Sequence, residues 1–446
     1  MANKVTLKPD SSTGQTSGQL LRVFNLVGWR DLAKRWQTPL LLFLALRLGL
    51  SVVAFAAQIL IPVLPSAGTA PYTPPVLSYW SERLLGVWSH WDGEWFLQIA
   101  TNGYHSDDGT AAFFPLYPLL VKLVAWPLAS NYLLAGVVVS SGATLAVLIL
   151  FYELCLREWD ADIATQACFL LVAFPTAFFL MAVYSESLFL ALTLGAFLCA
   201  RHLKRWWWAG LWAAGATLTR STGFLLVLPL AWEWWQANQS SRLQFGSAKT
   251  RLSISLAWQR TTGILRWSFL GLGLPFLALG GWIVYNDLVL GDPLSFFKAQ
   301  ANWIWNRHSQ PPWEAVWRGT DNFFKLLGSN TAPTTGKLAD PNWWEFPAFV
   351  VTALLFGITC WWVWRRKFAL SYLLYFGLAM LLPLSSPSNK EPLLSFPRFA
   401  LVLFPIFMVL ALLGRRWRWL HYLYIYTALL LSGLFLARFA NWYWLA

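Results

Sequence analysis

The chain has 446 residues, of which 57% are hydrophobic, 17% aromatic and only 12% charged, with a net charge of +13. A soluble domain of this size carries about 25% charged residues, so a water-soluble globule is excluded and a multi-pass membrane protein is expected. The basic residues are spread through short loops rather than gathered on one face, which excludes nucleic acid as the partner.

Residues 1–38 read as a polar, partly disordered, cytoplasmic tail rather than a signal peptide, because the first apolar run begins near Pro39 and is too long for one. Eleven apolar stretches follow, at 39–63, 131–156, 162–183, 186–200, 206–218, 222–236, 267–289, 346–364, 368–384, 398–413 and 419–438. The short pair 206–218 and 222–236 reads either as two crossings or as one bent helix. Cys155, Cys168, Cys199 and Cys360 lie in or beside these runs without CxxC spacing, so they predict neither a zinc site nor a disulfide framework.

Counting charges orients the chain. With the N-terminus inside, 21 of the 33 basic residues fall on the cytoplasmic side and 11 outside, Arg47 lying within the first run. Lysine and arginine favour cytoplasmic loops. The acids run the other way, with 13 of 20 outside. The expected layout is one transmembrane domain over 39–446, with external loops at 64–130, 290–345 and 385–397 and a basic cytoplasmic loop at 238–266. Loops as long as the first two are usually functional.

The first external loop carries HWDGEWFLQIATNGY, His90 to Tyr104, then AFFPLYPLL, Ala112 to Leu120. Ionisable groups at the edge of hydrocarbon are costly and usually have a task. Asp92, between Trp91 and Trp95, is the candidate general base; the alternative is that it N-caps the helix that follows. Glu94 and Gln98, four apart, fit an exposed polar face. Tyr104 and His105 are candidate supporting residues. Asp107 and Asp108 offer oxygens to a divalent cation, or simply form a turn before Gly109; no cofactor is otherwise expected.

Glu186, in YSES, opens a helix at the same depth and calls for a cationic partner. Arg220 in TRSTG, Arg398 in SFPRF and Lys390 lie on that outer side and are candidates to bind a phosphate. The alternative for each is snorkelling to the interface. Arg307 and His308, in the second long loop, are further candidates.

At these residues the chain resembles the PIG-V-like mannosyltransferases. The resemblance is carried by the two first-loop blocks together with FPTAFFLMAVYSESLF, TLTRSTGF, GDPLSFFKAQ and SFPRFALVLFPIF, in that order, from about 85 to 410. It implies a GT-C glycosyltransferase that uses a lipid-phosphate sugar on the non-cytoplasmic side, with Asp92 as the catalytic aspartate. Eukaryotic members add a mannose to the glycosylphosphatidylinositol precursor. The chain departs from them at 290–345 and 238–266, and its style points to a prokaryotic homologue in the cell membrane.

The expected protein is therefore an all-α polytopic membrane protein. It is a GT-C-type bundle of about 11 transmembrane helices whose two long external loops carry short amphipathic helices. It would move a hexose, mannose being favoured, from a polyprenyl-phosphate donor to a hydroxyl on a lipid or glycan, with inversion. A transporter or flippase, which needs polar groups at mid-membrane depth, and a non-catalytic assembly subunit are the competing readings.

Overall fold

A computed structural model describes residues 35–62, 78–106, 108–245, 267–301, 305–328 and 340–443. Residues 1–34, 63–77, 107, 246–266, 302–304, 329–339 and 444–446 lie outside the described residues. Those described fold into helices and their connections, with one isolated β-bridge between Arg307 and Ser388.

Leaving aside the short helices Tyr79–Leu84 and Ser295–Lys298, the helices in chain order are α1 Gln37–Leu60, α2 Asp92–Asn102, α3 Leu116–Ala125, α4 Tyr132–Glu158, α5 Ala161–Val172, α6 Glu186–Phe197, α7 Trp206–Thr219 and α8 Val227–Phe245. They continue as α9 Leu274–Leu290, α10 Pro312–Gly328, α11 Asn342–Trp364, α12 Leu370–Leu384, α13 Phe396–Leu401, α14 Pro405–Arg416 and α15 Arg418–Ala440. Among the described residues, six segments are long and apolar enough to cross a bilayer: α1, α4, Glu186–Leu203, Trp267–Leu290, α11 and α15. Their outward faces are apolar. Leu41, Leu44, Leu48 and Val52 stand exposed along α1, and Leu423, Tyr426, Leu430 and Leu434 along α15. Stripes of that size are tolerable only against lipid, and the chain is an integral membrane protein.

The expected spans recur as helical segments, with three revisions. The run 162–183 stops being helical at Val172, because Pro175 cannot continue the helix. Residues 173–185 cross the interior as irregular, largely buried chain with their backbone groups bonded: Leu180 O accepts from Thr144 Oγ1 at 2.5 Å, and Val183 N–H donates to Trp88 O at 2.8 Å. Irregular backbone survives at such depth only where protein satisfies it. The run 398–413 is likewise broken, into α13 and α14, with Pro405 opening the second. The ambiguous 206–236 region is a reversal rather than one bent helix. After Arg220 the chain folds back so closely that a Cβ on Gly223 would lie 2.2 Å from the Ala216 carbonyl carbon. Only glycine fits there.

Arg47, the one cation within the first run, donates to Met181 O at 3.3 Å and lies 4.9 Å above the Trp88 ring. A carbonyl and a π-face satisfy it, so it is not an unpaired mid-membrane charge of the kind a transporter needs. In the second long loop, α10 is amphipathic as expected, with Trp313, Trp317, Phe324 and Leu327 outermost.

Candidate active site

Three irregular pieces of chain build the site: the turn before α2, the buried segment leading into α6, and the turn that launches α13. Trp91 holds a positive φ of 59°, reversing the chain so that Asp92 becomes the first residue of α2 rather than its cap. Tyr184 fixes this turn from the second piece. Its hydroxyl accepts the Asp92 N–H at 3.1 Å and donates to His90 O at 3.0 Å. His90 is buried, with Nδ1 3.1 Å from Phe439 O and its ring stacked 3.9 Å from Trp442. Burial pushes it down to about 4, which keeps it a neutral structural group.

The third turn is strained. Ser395 sits at φ 66°, rare for a residue with a side chain. Its N–H is held at 2.8 Å by Oε1 of Glu345, a fully buried carboxylate at the start of α11. Ser395 O then accepts from the N–H groups of Arg398 and Phe399, both at 3.0 Å, and so sets the first turn of α13. Arg398 points inward. Its Nη1 donates to Asp92 Oδ2 and its Nε to Glu186 Oε1, both at 2.5 Å, while its guanidinium lies 4.6 Å from the centre of the Tyr184 ring. Arg220 Nη1 also donates to Glu186 Oε1. Two carboxylates and two guanidiniums thus form one chain, Asp92–Arg398–Glu186–Arg220, with Glu186 wholly buried.

This chain borders a cavity of about 470 Å³. Asp92 supplies the one carboxylate among its described lining residues, against Arg220, Arg307, Arg398, Lys298 and His308. Phe296, Phe297 and Leu382 make part of the wall apolar.

Several expectations need correction. Asp92 does not N-cap α2: Trp91 takes that position without a side-chain cap bond, and the carboxylate is drawn to Arg398 instead. Glu94 and Gln98 are buried rather than exposed, because α2 is covered on both sides by protein. Burial, followed by the neighbouring Glu82 carboxylate, pushes Glu94 up to about 7. Lys390 is exposed on a turn, its N–H 3.4 Å from Ser388 Oγ, and does not line the cavity. His105 is exposed, its N–H donating to Thr110 Oγ1. Tyr104 donates to Phe113 O at 3.0 Å and packs on Trp282, outside the cavity. Trp91 packs against Trp442. Trp95 supports the wall from behind, against Phe113 and Trp305. Asp108 Oδ1 accepts the Thr110 N–H at 2.8 Å and the Thr110 hydroxyl at 2.5 Å, which is the turn role; Asp107 lies outside the described residues.

Sequence reasoning passed over Glu345 and Tyr184. Glu345 had a signal, a carboxylate opening an apolar run; Tyr184 stands inside YSES but was read only as its neighbour.

The family described as mannosyltransferase (PIG-V) matches residues 41–288, more than half of the chain. A GPI alpha-1,6-mannosyltransferase 2 from Homo sapiens is 30% identical over 274 residues, covering 56% of this chain and 54% of that protein. A GPI mannosyltransferase 2 from Drosophila pseudoobscura is 35% identical over 155 residues, covering 31% of this chain and 33% of that one. The chain thus spans about half, or less, of the length of these relatives. Both are eukaryotic, so they lend no support to a prokaryotic origin. Among solved structures, the oligosaccharyltransferase of Archaeoglobus fulgidus overlaps with a TM-score of 0.39 at 12% identity, covering 90% of this chain and 56% of that one, too loose an overlap to carry a conclusion. The match over residues 41–288 and the order of the sequence blocks around Asp92, Glu186 and Arg220 agree: this chain belongs to the PIG-V mannosyltransferase family.

Proposed function

We propose that the protein transfers a hexose, mannose in the first instance, from a polyprenyl-phosphate donor to an acceptor hydroxyl, with inversion at the anomeric carbon. The relatives named above are GPI mannosyltransferases; for this chain the acceptor class is a glycan or lipid hydroxyl. The observation that carries the reading is that Asp92 is the one acidic side chain among the described lining of a cavity that it shares with Arg220, Arg307, Arg398 and Lys298 and with neutral polar and apolar side chains.

In the proposed step, the acceptor oxygen attacks the anomeric carbon and loses its proton to Asp92. The bond from that carbon to the phosphate oxygen breaks, and its electron pair leaves with the polyprenyl phosphate. A phosphate leaving group needs no acid, so one carboxylate suffices where glycoside hydrolysis needs two. It does need positive charge, because the leaving phosphate gains a negative one. Arg398 fixes Asp92 through Oδ2, and among the described residues Oδ1 is unclaimed and remains for the acceptor hydroxyl. The proposal places this face outside the membrane, following the charge asymmetry of the loops.

Replacing Asp92 with asparagine tests the reading. Asparagine keeps size and a hydrogen bond to Arg398 but cannot take a proton. Loss of a general base typically costs about 10² to 10⁴-fold in rate. Asp92→Asn should therefore lose most transfer from polyprenyl-phosphate mannose while still binding the donor. Full transfer by this variant would remove Asp92 from catalysis.

A further inference from the structure

The charges around the cavity do not balance. Asp92 and Glu186 are matched by Arg398 and Arg220 within one ion-pair chain. Arg307 is a third guanidinium on the same wall, with no carboxylate in ion-pair range among the described residues. Its side chain donates to a neutral acceptor, Leu394 O, at 3.2 Å. It lies 5.4 Å from the centre of the Phe399 ring, and Arg220 lies 5.5 Å from the centre of that same ring. Cations away from water are ordinarily paired. Half-buried Arg307 is instead set beside Arg398 and Arg220, which repel it, while the carboxylates of Glu345 and Asp92 attract it only from beyond ion-pair range.

Arg307 is also held in place. Its N–H donates to Gln300 O at 3.0 Å, and it forms the β-bridge with Ser388. On one side Asn306, at φ 47°, is tied to Asn389 through backbone and side chain; on the other the His308 N–H donates to Pro387 O. Residues 306–308 and 387–389 are thus locked together behind this one side chain. Burial, then the nearby Arg398, lowers Arg307 to about 10 against the opposing pull of Glu345 and Asp92, so it remains cationic at neutral pH. A rigid, planar guanidinium on a cavity wall, with no carboxylate in direct contact, is pre-organised for a forked anion such as phosphate.

We infer that Arg307 is the principal phosphate-binding residue of this cavity, with Arg398 and Arg220 serving mainly to hold Asp92 and Glu186. The ligand class is a phosphate ester whose apolar chain lies along Phe296, Phe297 and Leu382. This rests on the reading of the cavity as a lipid-phosphate donor site. It also sets Arg307 ahead of Arg220, Arg398 and Lys390, the candidates drawn from the sequence. Lys298, bound to Asp292 at 2.6 Å, stands at the same wall as a secondary cation, and His308 also lines it.

The test is calorimetric titration of the purified full-length protein with farnesyl phosphate, farnesol and inorganic phosphate. Wild type should bind farnesyl phosphate more tightly than farnesol. Arg307→Gln, which keeps a donor for Leu394 O but no charge, should weaken farnesyl phosphate by about ten- to a hundredfold and leave farnesol unchanged. Arg307→Lys should fall between, since the charge stays and the fork is lost. It also decides the matter if Arg307→Gln fails to fold. Farnesyl phosphate bound as in wild type by the folded variants would overturn the inference while leaving the donor reading standing. Arg307-dependent binding of inorganic phosphate, with farnesyl phosphate no better than it, would support the subsite but remove the lipid-donor reading. No phosphate-dependent binding in wild type would overturn the inference.

Discussion

Glu186 is where the bundle is most exposed to a single change. It is fully buried, and one of its oxygens, Oε1, receives both Arg398 Nε and Arg220 Nη1. Removing it does not orphan the two arginines equally. Arg398 retains Asp92 at 2.5 Å; Arg220 retains only the Ser185 hydroxyl at 3.5 Å and the face of Phe399. Breaking a buried pair from one side costs about 3–5 kcal/mol, mostly from the uncompensated charge. Glu186→Leu should sit near the upper end of that range, and Glu186→Gln, which keeps an acceptor, near about 3 kcal/mol. For a chain of this length a loss of that size lowers the melting temperature by roughly 3–6 °C. Because detergent-solubilised proteins often unfold irreversibly, the comparison is made at one scan rate. The informative variant is the pair Glu186→Leu with Arg220→Leu, which removes both charges together. It should be more stable than Glu186→Leu alone, giving a favourable coupling energy in the double-mutant cycle. Unchanged melting in Glu186→Leu, or strict additivity in the pair, would show that the two charges are not held in a dry interior, and the argument built on their burial would fail.

The remaining expectations concern Glu94 and the orientation of the chain. Glu94 is raised to about 7, by burial first and Glu82 second, so the folded state favours its neutral form. Its contribution is full below the unfolded carboxylate value and is lost as pH rises toward 7. Melting curves should therefore show Glu94→Gln gaining on wild type between about pH 4.5 and pH 7, by roughly 1–2 kcal/mol once water reaching the loop is allowed for; parallel curves would refute the assignment. For topology, single cysteines at Ser106 and Ser247, in a background lacking the native four, are treated with an impermeant thiol reagent in intact cells. Label at Ser106 alone is expected, and the reverse pattern would invert the chain.

Much of the fold was legible because bilayer crossing is a one-dimensional constraint: each of the eleven apolar runs contains helix where described, six of the described segments are long and apolar enough to cross, and proline marks where two runs break. Arg220 as partner to Glu186 was also within reach, since the two lie at neighbouring turns of sequential helices. The pairing of Arg398 with Asp92 was not, because 306 positions separate them and no periodicity spans that distance. Arg307 was read as an accessory for the same reason. Its importance is relational, arising only after Arg398 and Arg220 are seen to be engaged. Glu94 was misread on a different ground. A polar pair four apart predicts an exposed face only if one side of the helix meets water, and α2 meets protein on both.

The end of the bundle opposite the cavity shows why charge at both ends serves the site. The helix that begins at Glu186 runs on to Leu203, where Arg201 binds Glu158 and Glu233, and Glu233 also accepts from Ser371 Oγ at 2.6 Å. Between these ends the segment is overwhelmingly apolar and closely buried. Apolar packing alone sets a helix's rotation and depth only loosely, because lipid and protein are alike to a leucine. Directional ion pairs at each end remove that freedom: a slip along the axis by one residue, about 1.5 Å, would strain both clusters at once. Glu186 is then placed from below by Arg201 as well as from beside by Arg220. Through Arg398 its position sets that of Asp92, so the placement of the proposed base follows from a network that spans the bundle rather than from the first loop alone.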